Sequence, residues 1–159
     1  MTNTDNPAAL LLDELVRRHL TVATAESCTG GNIAHLITSI PGSSEAMLGG
    51  IVSYANSAKE HLLDVSRETL EVYGAVSIPV VEQMARGACR AFGADIAMAT
   101  SGIAGPGGGS PDKPTGTVCI AVCKGERVVS HTFHFHGNRG EVIDLASREA
   151  LSLALSCLQ

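Results

Sequence analysis

The sequence is poor in aromatic residues: they make up 3% of its 159 residues, and tryptophan is missing. Its core therefore has to be assembled from alanine, valine, isoleucine and leucine. Basic residues are not in excess either. Lys and Arg number 11 against 16 Asp and Glu, a formal net charge of -5, which argues against a general nucleic-acid binder with its basic face. A small anionic ligand stays open, because one or two local donors suffice for it. No apolar run is long enough to span a bilayer. The start, MTNTDNPAALLLDEL, has acidic residues where a secretory leader is basic, so the expected compartment is the cytoplasm. Low-complexity linkers and internal repeats are missing too, and the length fits one domain over residues 1–159, with residues 1–6 expected to be disordered. Hydrophobic residues at 45% and charged residues at 17% describe a folded chain that buries its own core without staples. The five cysteines lie mostly inside apolar segments and read as reduced, buried thiols. Cys119 and Cys123 sit in one predicted strand with no turn between them, which is not the spacing of a zinc knuckle.

Proline and glycine punctuate what is there. A first helix starts near Pro7. LTVATA (20–25) reads as a buried strand, and a helix follows Gly30-Gly31 and stops at Pro41-Gly42. GGIVSYA (49–55) is a second strand, NSAKEHLLDV (56–65) a short helix capped by Asn56 or Ser57, and residues 66–73 a further helix. Residues 78–92 are helical, with Pro79 at the entry and Gly93 at the exit. ADIAMATS (94–101) is a central strand, and TVCIAVC (117–123) and RVVSHTFHF (127–135) form a hairpin. The last helix is expected to bury Leu145, Ala146, Ala150, Leu153, Ala154 and Cys157. Early alternation followed by a late hairpin predicts an α/β fold, with a mixed, mostly parallel sheet of about five strands and helices on both faces.

Three loops after strands carry polar groups that a mere connection does not need. In TAESCTGGNIAHLI (24–37) a strand-to-helix turn offers Ser27, with Cys28 as a rival nucleophile. A hydroxyl needs a base. Histidine is the usual one, and His131, His134 and His136 cluster near the last strand, where they read as a Ser-His or metal site, or as a polar strand face. His35 and His61 fall on helices as ordinary boundary positions. The other base is Lys59, in the first turn of its helix, where the macrodipole disfavours a cation and lowers the pKa; the competing reading is a solvated surface lysine. The loop SGIAGPGGG (101–109) is neither a P-loop nor a dinucleotide fingerprint. Its glycines allow close backbone approach, with N–H groups free for an anion or oxyanion, or else form a flexible connection.

TAESCTGG, GGIVSYANSAKEHLLDV, YGAVS and SGIAGPGGGSPDKPTGTV, taken together, closely resemble the CinA C-terminal domain family, from about Leu20 to the final helix. Standalone members of that family are nicotinamide-nucleotide amidohydrolases, which convert nicotinamide mononucleotide to nicotinic acid mononucleotide and ammonia in pyridine nucleotide salvage. The resemblance implies a three-layer α/β/α sandwich, no cofactor and no metal. It implies a serine nucleophile at Ser27, its lysine partner at Lys59, and a hydroxyl residue before GIAGP at Ser101. Substrate contacts are expected at Thr29, Gly30, Gly31, Tyr54, Gly102, Gly105 and Arg139, with Arg139 on the phosphate. The expected partners are a small nucleotide substrate and a further copy of the chain, with no nucleic acid and no membrane. Many relatives carry a basic residue shortly after the arginine of F-x-G-x-R, where this chain has Ile143 and Asp144. The alternative reading is therefore a catalytically weak nucleotide-binding or regulatory module of the same family.

Overall fold

A computed structural model describes residues 5–159. Of the stretch expected to be disordered, residues 1–4 lie outside the described residues, and Asn6 is the cap of the first helix. Its side chain accepts from the Ala8 N–H, and Pro7 opens α1 (Pro7–Arg17), where a missing N–H does no harm. The remaining elements are β1 (Val22–Glu26), α2 (Asn32–Thr38), β2 (Met47–Val52), α3 (Asn56–Leu63), α4 (Arg67–Tyr73), α5 (Ile78–Phe92), β3 (Ile96–Gly102), β4 (Thr117–Lys124), β5 (Arg127–His134) and α6 (Arg139–Ser156).

The five strands form one sheet in the order β2-β1-β3-β4-β5. β1 pairs parallel to β2 and β3, and β4 runs antiparallel to both β3 and β5. Four strands thus point one way and β4 alone points the other. Along β3 and β4 every residue but the terminal Lys124 is apolar or small, so the sequence shows no alternation; the structure resolves it. Ile96, Met98, Val118, Ile120 and Val122 face a cluster shared with α1, α2 and α6. Ala97, Ala99, Cys119, Ala121 and Cys123 face the opposite cluster, shared with α3, α4 and α5. Three layers result, and the small residues of the second face let α5 lie close on the sheet. Each fully buried Ile, Leu or Met contributes about 1.5–3 kcal/mol.

This topology gathers the loops that matter. β1, β2 and β3 are parallel, so their carboxyl ends share one edge of the sheet. β5 ends beside the start of β4, Thr117 against His134, which carries the entry of α6 to that edge as well. Ligand crevices of open α/β sheets lie outside such carboxyl ends.

Some local expectations change. The buried side of α6 is Val142, Ala146, Ser147, Ala150, Leu151 and Ala154. Leu145 is 40% exposed, because an i, i+4 stripe through residues 142, 146, 150 and 154 turns its preceding neighbour outward. Ser147 joins the stripe because its hydroxyl donates to the Ile143 carbonyl and accepts from Asn32. The N-cap of α3 is Ala55, with no side-chain cap, in place of Asn56 or Ser57. β2 begins at Met47 and ends at Val52, so Ser53 and Tyr54 leave the sheet. Their carbonyls are then free for another donor.

Candidate active site

Ser27 follows the last residue of β1 and is 8% exposed. Its N–H donates to the Thr100 carbonyl at the end of β3. Gly30 and Gly31 take φ of 60° and 101°, the left-handed region, and so turn the chain into α2. Lys59 lies on the inner side of α3, one helical turn before the buried Leu63, and is 1% exposed. Its Nζ donates to the Ser53 carbonyl at 2.9 Å, to the Tyr54 carbonyl at 3.2 Å and to Ser27 Oγ at 3.2 Å. Burial pulls the Lys59 pKa below that of an ordinary lysine, against a smaller opposing effect of the Cys28 thiol. The expected lowering is present, with burial as its largest cause. The competing picture of a solvated lysine does not hold. Cys28 is buried within the core cluster, and burial pushes its thiol up to about 12, so it is almost wholly protonated near neutral pH.

Ser27 and Lys59 open onto a cavity of about 300 Å³, also lined by Tyr54, Ser101, Gly102, Gly105 and Arg139. With Cys28, which also borders the cavity, the structure brings together eight of the residues singled out in the sequence. Arg139, the first residue of α6, donates to the Gly105 carbonyl at 2.7 Å and to the Tyr54 hydroxyl at 2.9 Å across the rim. Ser101 contributes to the wall, but no hydrogen bond joins its hydroxyl to Ser27 or Lys59. Thr29, Gly30 and Gly31 lie outside the lining. The Thr29 hydroxyl turns inward, to Glu26 at 2.6 Å and Thr100 at 2.8 Å.

Sequence reasoning gave no site role to Asn56, Ala75, Val76, Ile103 or Ala104, which also line the cavity. They fall inside the quoted motifs, but none of these side chains signals nucleophile or base chemistry by itself. It also gave no role to Glu26, which is 1% exposed. A glutamate ending an apolar strand is a usable signal, since carboxylates are seldom buried without partners. The histidines play no part in the cavity. Thr117 and His134 lie 3.3 Å apart, Oγ1 to Nδ1, and no three His, Cys, Asp or Glu side chains come together among the described residues in a way that could hold a metal ion. All five cysteines are free, with Cys89 half-buried and the others buried. No described helix is long and apolar enough to cross a membrane.

A buried lysine bonded to a serine at the carboxyl edge of an α/β sheet is an arrangement suited to nucleophilic chemistry. Comparison with known proteins agrees with the sequence motifs. The CinA C-terminal domain family matches residues 4–158, and the chain belongs to that family. A CinA-like protein of Chlorobaculum tepidum is 49% identical over 135 residues, which is 82% of this chain and 32% of that protein. One from Mycobacterium marinum is 49% identical over 146 residues, 89% of this chain and 34% of that protein. The chain thus spans about a third of the length of these relatives. Among solved structures, the competence/damage inducible protein CihA of Agrobacterium tumefaciens superposes with a TM-score of 0.93 at 40% identity, covering 97% of this chain and 96% of that one. The competence damage-inducible protein A of Klebsiella pneumoniae gives 0.94 at 36% identity, covering 99% and 98%.

Proposed function

We propose that this chain hydrolyses the carboxamide of nicotinamide mononucleotide to nicotinic acid mononucleotide and ammonia, with Ser27 as nucleophile and Lys59 as base. One observation carries the reading: Lys59 is buried, with its amine within hydrogen-bond distance of the Ser27 hydroxyl. A neutral amine has two hydrogens and one lone pair. The Ser53 and Tyr54 carbonyls engage the hydrogens, and the lone pair is left for the Ser27 O–H. In this reading Ser27 Oγ attacks the carboxamide carbon while its proton passes to Lys59. The tetrahedral intermediate collapses as Lys59 returns the proton to the departing nitrogen, and ammonia leaves. Water then cleaves the ester, giving a proton to Lys59 on attack, and Lys59 passes that proton to Ser27 Oγ as the C–O bond breaks, restoring both groups. Backbone N–H groups of the loop through Gly102, Gly105 and Gly108 border the same cavity and are the candidates for the oxyanion. Such a donor contributes about 3–4 kcal/mol where one has been removed. Arg139 is the candidate for the phosphate, through charge-assisted bonds.

The second reading, a binding module with little turnover, draws support from α6. Ile143 packs against the core and Asp144 pairs with Arg148, so neither adds a cation beside Arg139. Incubation of the purified protein with nicotinamide mononucleotide separates the two. Stoichiometric ammonia and nicotinic acid mononucleotide, with none from Ser27→Ala, support the amidase. Tight binding without ammonia supports the module.

A further inference from the structure

Glu26 is the last residue of β1, immediately before Ser27, and its carboxylate meets donors only. Oε1 accepts from the Thr29 hydroxyl at 2.6 Å and the Ile33 N–H at 2.9 Å, and Oε2 accepts from the Ala34 N–H at 3.1 Å. These amides belong to the first turn of α2, whose N-cap, Gly31, supplies no side chain. A side chain from before the turn thus caps the helix after it and closes residues 27–31 into a ring. The turn that offers Ser27 leads into α2, and it is Glu26 that takes the amides at the start of that helix.

The ring is tied outward on both sides. Thr29 Oγ1 bonds Thr100 Oγ1, and the Thr100 carbonyl holds the Ser27 N–H. The Glu26 carbonyl accepts from the Ser53 N–H at 2.8 Å. The Ser53 carbonyl in turn accepts from Lys59 Nζ. One residue therefore links the nucleophile turn, the end of β3 and the segment that seats the lysine. We infer that Glu26 is a positioning residue: its carboxylate holds the Ser27 hydroxyl in reach of Lys59 and of the cavity, without touching substrate itself. The inference rests on the Ser27–Lys59 reading.

Glu26→Gln is the direct test. Its amide keeps one oxygen for Thr29 and Ile33 but sets an NH2 against the Ala34 N–H, donor to donor. The turn then shifts, and misplacement of about 1 Å lowers a rate by roughly 100-fold. Two rates are measured on the folded variant. One is kcat for nicotinamide mononucleotide, expected to fall by about 100-fold while KM stays within about twofold. The other is labelling by a fluorophosphonate, read by mass spectrometry at Ser27: Oγ bonds phosphorus, fluoride leaves and the proton passes to Lys59. It is expected to fall in parallel. A folded Glu26→Gln protein with parental kcat and labelling overturns the inference, even if it melts earlier. Should Glu26→Gln not fold, Thr29→Val serves, since it keeps the two helix-cap bonds to Ile33 and Ala34 and removes the hydroxyl that ties Glu26 to Thr100. A drop of at least roughly tenfold in both rates is expected there, since a bond to the carboxylate is lost along with a neutral one, and parental rates overturn the inference. A parent protein that neither labels at Ser27 nor releases ammonia overturns the Ser27–Lys59 reading instead, which keeps the two failures distinct.

Discussion

Lys59 Nζ stands 3.2 Å from Ser27 Oγ, although the two residues are 32 positions apart in the chain. The lysine reaches that point because β2 stops at Val52 and turns two carbonyls toward it. The serine reaches it because β1 ends one strand away, with its turn pinned to β3.

The first expected outcome concerns the choice of nucleophile. Ser27→Ala should lower deamidation by at least about 1,000-fold, because the covalent route is gone. Cys28→Ala should retain most of the rate, because a buried thiol raised to about 12 supplies almost no thiolate. Steady-state ammonia release by both variants is the check. A loss confined to Cys28→Ala would transfer the chemistry to the thiol.

Lys59 makes a pH prediction with a definite sign. The base works unprotonated, so the rate should rise with pH through an ionisation below the ordinary lysine value of about 10.4. Stability should follow the same group. With a folded pKa below the unfolded one, the unfolded chain binds more protons between the two values, so stability rises with pH across that window. Lys59→Met lacks the group. The parent's melting temperature, measured relative to this variant, should therefore climb with pH on approaching the ordinary lysine value of about 10.4 from below and level off above it. Lys59→Arg should be inactive at every pH, since guanidinium stays protonated. Near-parental turnover by Lys59→Arg would remove lysine from the mechanism.

Arg139 should act on binding. Arg139→Ala should raise KM for nicotinamide mononucleotide by about 10–100-fold, the range of one charge-assisted hydrogen bond, and leave kcat within a few-fold. The riboside, which has no phosphate, should be handled alike by parent and variant. An equal loss on both substrates would mean that Arg139 organises Tyr54 and Gly105 rather than reading the phosphate.

Gly87 links packing to the site. A Cβ there would run into the Leu63 carbonyl at the end of α3, the helix that carries Lys59. Gly87→Ala forces α3 and α5 apart and should lower stability by about 1–3 kcal/mol. Thermal melting should show a fall of roughly 2–4 °C per kcal/mol. An unchanged melt would show that the helices separate freely, and that their close approach is not what seats Lys59.

Much of this molecule was written into its residue order. Pro7, Pro79, Gly93 and the apolar runs of β3 and β4 place helices and strands through local conformational limits, and these act wherever the chain lies. The motifs around Ser27, Lys59 and Gly102 pointed to segments that line one cavity, in part because glycines at turns are a one-dimensional signal. What burial does was not legible. A lysine at helical spacing reads either as a base or as a solvated cation, and only its burial in the fold, with α3 packed on α5, removes its water. Leu145 reads as core until neighbouring elements choose the stripe through Ala146 and Ala150. Arg139 reaches the cavity through strand order, and Glu26 finds α2 through a turn that closes in three dimensions. Desolvation and hydrogen-bond partnership are properties of what surrounds a side chain, and that is decided by the tertiary structure.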